Sequence, residues 1–148
     1  MSNKPAWLAI AVVAVGGFEG VRTYAYRDPV GIPTICFGET KNVRMGDRAT
    51  LEHCTGLLES RLAEFGRGVD QCIQKPLPPY RKAAFTSFAY NVGTEAFCKS
   101  TLVKKYNAGD FVGACDQLKR WTSARGFVLP GLVKRRDSEW RLCMRELA

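Results

Sequence analysis

Between Lys4 and Glu19 the chain carries no charge, and the run from Trp7 to Val15 is apolar on every face of a helix. A helix that is apolar all round is not stable as a solvent-facing element; it is buried in a core, laid in an interface, or read as the apolar part of an export signal. At about 1.5 Å per residue such a run reaches only roughly 20 Å, short of a hydrocarbon core about 30 Å thick. One positive charge, Lys4, precedes it, as in an export signal. Signal cleavage after Ala11 or Ala14 would strip the element that leads into Glu19, so an uncleaved segment is expected. Two readings stay open: a retained core helix, and a weak uncleaved export or membrane-tethering signal.

The whole chain has 148 residues, the size of one ordinary domain, with 46% hydrophobic and 24% charged residues, a composition that folds. The net charge of +8 draws it to polyanions, among which nucleic acid, anionic lipid and anionic cell wall all qualify. No nucleic-acid recognition motif is present, so nucleic acid is not the expected partner. Six cysteines, Cys36, Cys54, Cys72, Cys98, Cys115 and Cys143, allow three disulfides and suggest an oxidising compartment, with buried free thiols as the plainer alternative. The sequence does not choose their pairing. No CxxC spacing occurs and His53 is the only histidine, so a structural metal is not expected, and the chemistry read below needs no cofactor.

After Gly16 and Gly17 the pattern changes. The segment Arg22 to Asp28 alternates and is rich in aromatics, Asp28 to Gly31 supplies turn chemistry, and Ile32 to Phe37 is β-prone, which together predict a small antiparallel sheet. Everything afterwards reads as helix. Leu51, Cys54, Leu57, Leu58, Leu62 and Phe65 recur at helical spacing, predicting an amphipathic helix over about 50–73. Further helices are expected across Ala83 to Ala89, stopped at Gly93; from Ser100 to Asn107; from an N-cap at Asp110 to about Trp121; and from Pro130 onward. The expected class is α+β, one domain over 1–148. Its parts are an apolar helix at 1–18, a β-rich lobe at 19–45 and a helical lobe at 46–148, with a cleft between sheet and helices.

Glycoside hydrolysis needs one carboxylic acid to protonate the leaving oxygen and one carboxylate to activate water or attack the sugar. Glu19 follows the apolar run and Phe18, a setting expected to hinder ionisation and raise its pKa; Asp28, in a polar turn, is expected to stay ionised. Thr34 on the facing strand is placed to hold a water beside Asp28. Glu19, eight residues, Asp28, five residues, Thr34 is a spacing that resembles the catalytic positions of the phage lysozymes, glycoside hydrolase family 24. The blocks around it resemble the family too: Phe18 to Asp28, Gly31 to Gly38, Ser87 to Gly93, Phe97, Ser100 to Leu102, Asn107 to Asp110, Arg120-Trp121 and Gly131 to Arg136. The likeness covers about 18–143 and resembles the lambdoid-phage members with an amino-terminal signal-arrest-release segment.

That resemblance implies a lysozyme-like fold and hydrolysis of the β-1,4 bond between N-acetylmuramic acid and N-acetylglucosamine in peptidoglycan, for lysis of a host cell. It implies Glu19 as the acid, Asp28 and Thr34 as the pair that positions water, and Thr40, Tyr90, Ser100 and Gln117 as sugar or peptide contacts. It also implies a monomer whose partner is peptidoglycan, acting in the host periplasm or wall after a transient membrane association of the amino-terminal segment. The alternative location is the host cytoplasm until a holin acts. Glu39 departs from many relatives, and a third carboxylate there would disturb the first two. Competing functions are a lytic transglycosylase on the same scaffold and a non-catalytic cationic binder of walls or membranes. Without the family, Glu19 reads as a helix-end carboxylate and Asp28 as a turn residue. Tyr24, Tyr26, Phe37, Trp121 and Trp140 read as packing residues, and Lys134, Arg135 and Arg136 as a charge run on a solvated face, with internal pairing or wall binding as the alternative.

Overall fold

The computed structural model describes residues 4–145. Helix α1 (Ala6–Glu19) is followed by strands β1 (Arg22–Arg27) and β2 (Pro33–Cys36), then the long helix α2 (Leu51–Cys72). Helices α3 (Pro79–Val92), α4 (Thr94–Cys98), α5 (Thr101–Asn107) and α6 (Phe111–Gln117) come next. A 3-10 turn (Leu118–Arg120), a two-residue ribbon of β3 (Ser123–Ala124) and β4 (Phe127–Val128), and α7 (Pro130–Met144) complete the order. The chain divides into two compact units, Val12–Arg61 and the described residues on either side of it, 4–11 with 62–145.

In the unit Val12–Arg61, β1 and β2 pair antiparallel, Tyr26 opposite Thr34 and Arg27 opposite Pro33, with an irregularity in register between Arg22 and Tyr26. A small core of Ala25, Ile35, Cys36 and Cys54 lies against Phe37, Val43, Ala49 and Leu57. The disulfide Cys36–Cys54 joins the end of β2 to the first turn of α2. Closing that loop limits the freedom of the unfolded chain and stabilises a unit whose own core is small, by roughly 3 kcal/mol for loops of this length.

The helical unit packs Phe85, Phe88, Phe97, Leu102, Tyr106 and Leu118, all fully buried, into one core. Its rings meet edge-on, Phe85 with Tyr106 at 5.3 Å and Phe88 with Trp121 at 5.2 Å, an arrangement that aligns ring edges with ring faces. Disulfides Cys72–Cys98 and Cys115–Cys143 lie within this unit. Local chemistry sets the helix ends. Ser100 Oγ accepts from the Val103 N–H, Asp110 Oδ1 accepts from the Gly113 N–H, and Gly93 closes α3 at φ 96°.

Two expectations change. The ribbon of β3 and β4 falls in the stretch between the helices expected to end near Trp121 and to begin at Pro130, where no strand is expected from sequence; its turn, Arg125-Gly126, has both residues at positive φ, the geometry two-residue hairpin turns require. Arg135 and Arg136 are not on a solvated face: they are 6% and 1% exposed, gathered around the fully buried Glu139. Arg136 Nε is 2.7 Å from Glu139 Oε1, a close charge contact without hydrogen-bond alignment, while Ser87 Oγ donates to Glu139 Oε2 at 2.5 Å. Burial pushes the Glu139 carboxyl above the usual range, against the pull of both guanidiniums, and it pushes Arg136 below its own.

Helix α1 buries Leu8, Ala11 and Val15, three residues that share a stripe, and leaves Val13 78% exposed. The apolar run is thus folded onto protein along one face and open to solvent on another. Among the described residues no helix is long and apolar enough to cross a membrane.

Candidate active site

Glu19 is the last residue of α1, which Gly20 closes at φ 68° by donating its N–H to the Gly16 carbonyl at 3.0 Å. Its carboxylate faces the turn that follows β2: Oε2 stands 3.8 Å from the point a Cβ on Gly38 would occupy. Glu19 is exposed, so the apolar enclosure expected from the preceding run is not formed around it. The apolar residues of α1 bury on its other turns, and the helix ends where the carboxylate begins.

Asp28 builds the turn of the β1–β2 hairpin. Its Oδ1 accepts from the N–H groups of Val30 at 2.9 Å and Ile32 at 2.8 Å, and its own N–H donates to the Ile32 carbonyl at 3.0 Å. The Gly31 N–H donates back to the Asp28 carbonyl at 2.8 Å, from a backbone at φ 86° that glycine adopts without steric cost. One carboxylate oxygen is therefore fixed by the turn, and Oδ2 accepts no hydrogen bond from the described residues. Asp28 is half-buried.

Thr34 lies opposite Tyr26, and Asp28 lies two residues beyond Tyr26, so strand alternation puts Asp28 and Thr34 on one face of the hairpin. Thr34 is buried and its Oγ1 donates to the Ile32 carbonyl at 2.8 Å. That bond uses the hydroxyl proton and leaves the oxygen able to accept. Glu19, Asp28 and Thr34 all fall within the unit Val12–Arg61.

Glu39 is engaged by Arg61 and by the backbone of Lys41. Arg61 donates to it twice, Nε to Oε2 at 3.1 Å and Nη2 to Oε1 at 2.7 Å, and the Lys41 N–H adds a third bond at 3.3 Å. The Arg61 bonds hold the Glu39 carboxyl below the usual carboxylate range, against the smaller opposing effect of its burial. The partner that neutralises this extra carboxylate was invisible in sequence, since Arg61 lies 22 residues away. The buried group of Arg135, Arg136 and Glu139 did carry a signal, acid and base at helical i, i+3 and i, i+4 spacing.

The remaining candidates are dispersed. Thr40 is exposed beside Glu39. Tyr90 is half-buried in α3 with its ring edge-on to Phe65 at 5.3 Å. Ser100 is buried as the N-cap of α5, its hydroxyl donating to the Phe97 carbonyl at 2.6 Å while accepting from Val103, and Gln117 is half-buried at the end of α6. Tyr24 is half-exposed, unlike the packing role expected of it, whereas Phe37 and the two tryptophans Trp121 and Trp140 pack against their cores. Among the described residues no group of three or more His, Cys, Asp or Glu is placed to hold a metal ion.

A family model described as Phage lysozyme matches residues 16–139, a stretch that takes in all three catalytic candidates. The chain belongs to the phage lysozyme family. It is 43% identical over 129 residues to a SAR-endolysin of Bacteriophage PS119, covering 86% of this chain and 77% of that one. Among solved structures it matches the endolysin from Escherichia coli O157:H7 phage FAHEc1 with a TM-score of 0.85 at 30% identity, over 99% of this chain and 95% of the other. It also matches the active form of the P1 phage endolysin Lyz with a TM-score of 0.84 at 27% identity, over 94% and 85%. The α+β, lysozyme-like fold expected from sequence is the fold of this phage lysozyme family member, and the activity class is that of a glycosidase, a muramidase.

Proposed function

We propose that this phage lysozyme family member hydrolyses the β-1,4 bond between N-acetylmuramic acid and N-acetylglucosamine in peptidoglycan, as a single lysozyme-like domain serving host-cell lysis. Glu19 protonates the bridging oxygen as the bond to the anomeric carbon breaks. Asp28 accepts a proton from a water that Thr34 helps to hold, and that water attacks the opposite face of the sugar, inverting the anomeric centre. The observation that carries the reading is the state of the hairpin: the turn anchors Asp28 through Oδ1, Oδ2 accepts no hydrogen bond from the described residues, and strand register puts Asp28 on the face of Thr34. Thr40, Tyr90, Ser100 and Gln117 enter as sugar or peptide contacts on the family likeness alone.

The SAR-endolysin names of the relatives support export to the periplasm, and the uncharged run ending at Glu19 is the segment that would serve as a transient membrane tether. The reading also takes the protein as a monomer with peptidoglycan, and not nucleic acid, as its partner. Product analysis on purified peptidoglycan tests the chemistry. Reducing ends of inverted anomeric configuration are expected from the parent and not from Glu19→Gln or Asp28→Asn. Release of 1,6-anhydro ends would replace hydrolysis by transglycosylation, and undiminished lysis by both variants would leave only a cationic binder.

A further inference from the structure

The ribbon of β3 and β4 stands clear of the protein on both of its faces. Successive strand residues point to opposite sides, yet Phe127 is 72% exposed and Val128 65%, and Ser123, Ala124, Arg125 and Gly126 are exposed as well. Leu129 at 41% and Val133 at 44% extend the apolar surface into the first turn of α7. The pairing runs from Ala124 opposite Phe127 to a last bond from the Leu129 N–H to the Thr122 carbonyl at 2.9 Å, so the apolar side chains sit on an ordered ribbon. Nothing in the turn requires apolar residues there. Exposing four large ones together disfavours solution in water, and such patches mark places where water is displaced by something else.

The charge around the ribbon says what. From Gln117 to Arg136 there is no acidic residue, whereas Lys119, Arg120, Arg125 and Lys134 are all exposed basic residues, two before the ribbon, one at its tip and one after it. Lys119 holds its ammonium 3.9 Å from the centre of the Trp140 ring, which ties this basic collar to the face of α7. An aromatic and aliphatic tip ringed by cations matches an anionic bilayer surface, with apolar side chains below the headgroups and basic ones level with the phosphates. We infer that the β3–β4 ribbon is a second membrane contact, separate from the amino-terminal run, docking shallowly on anionic phospholipid through Phe127 and Val128.

The test is flotation of the full chain with vesicles of phosphatidylethanolamine and phosphatidylglycerol, and with vesicles of phosphatidylcholine alone. The parent is expected to float with the anionic vesicles and to be released by high salt. Phe127→Ser with Val128→Ser should weaken that association roughly tenfold or more, as expected when a buried aromatic and a valine are lost. Arg125→Glu should weaken it too, with the salt dependence reduced. These side chains are exposed, so an unchanged thermal midpoint checks that the variants fold. The inference fails if the parent does not bind anionic vesicles, if it binds phosphatidylcholine equally, or if the double variant binds as the parent does, which would assign all binding to α1. It also fails if the double variant loses retention on purified peptidoglycan while keeping its vesicle binding, since the occupant would then be the wall polymer.

Discussion

Asp28 and Thr34 share one acceptor: the backbone N–H of the first and the hydroxyl of the second both donate to the carbonyl of Ile32. A single peptide group thereby sets the position of the turn carboxylate and the rotation of the strand hydroxyl. The two catalytic candidates are coupled through the backbone, so the hairpin positions them as a pair before substrate arrives.

The turn and the chemistry of Asp28 are separable. Asp28→Asn keeps an oxygen that accepts from Val30 and Ile32 and removes the negative charge, so its stability should match the parent within about 0.5 kcal/mol while turnover falls by roughly 10²–10⁴. Asp28→Ala removes both turn bonds and should cost about 1–3 kcal/mol in addition to the activity. Urea unfolding and a turbidity assay, run on both variants, distinguish the two roles; equal stability losses for Asn and Ala would show that Oδ1 does not hold the turn.

Glu39 gives a pH-dependent stability through Arg61. Its native carboxyl titrates below the ordinary glutamate value, so the unfolded chain binds this proton first as pH falls. The contribution is full above the ordinary value and is lost as pH falls through it towards the lowered native one. Arg61 is one-third exposed, which limits the pair to on the order of 1 kcal/mol near neutral pH. Unfolding midpoints of the parent and Arg61→Gln should differ at neutral pH and converge in acid; a gap that persists in acid would mean that Arg61 stabilises by packing instead.

Much of this architecture is legible along the chain because it is decided locally. The caps at Ser100 and Asp110, Pro130 in the first turn of α7, the Gly93 stop and the turn at Asp28 each depend on residues a few positions apart. Pairings across long separations leave no such trace: which cysteine meets which, or that Arg61 meets Glu39. The five-residue α4 is too short to show a period, and the ribbon tip reads as loop because two residues per strand cannot display alternation. The surroundings of Glu19 differ from the sequence expectation for a similar reason. The apolar residues before it are neighbours in sequence, but Gly20 ends the helix there and the residue is exposed, with its carboxylate toward the turn at Gly38.

Glu139 shows the energetic weight of a buried charge cluster. Replacing it with glutamine preserves shape but strips the counter-charge from two buried guanidiniums, so Glu139→Gln should destabilise by about 3–5 kcal/mol in urea unfolding. Arg135→Met and Arg136→Met combined with Glu139→Leu remove charge from both sides and should recover much of that loss. A triple variant no more stable than Glu139→Gln would show that the charges themselves, and not their mismatch, hold Ser87 and α7 together.

The docking of α1 can be tested at Gly66, where α2 passes directly beneath the ring of Trp7. A Cβ at this position would overlap the ring, and the ring in turn receives the Lys82 ammonium at 4.5 Å from its centre. Gly66→Ala raises helix propensity by about 1 kcal/mol, so a helix-only effect would be stabilising. Overpacking against Trp7 acts the other way, by roughly 1–3 kcal/mol, and should win because a large ring cannot yield by small adjustments. The expected result is a lower thermal midpoint with a red-shifted tryptophan emission as Trp7 is forced into water, both reversed in Gly66→Ala with Trp7→Leu. If Gly66→Ala alone were more stable than the parent, the amino-terminal turn of α1 would not be seated on α2, and the apolar run would be free of the fold at its amino-terminal end.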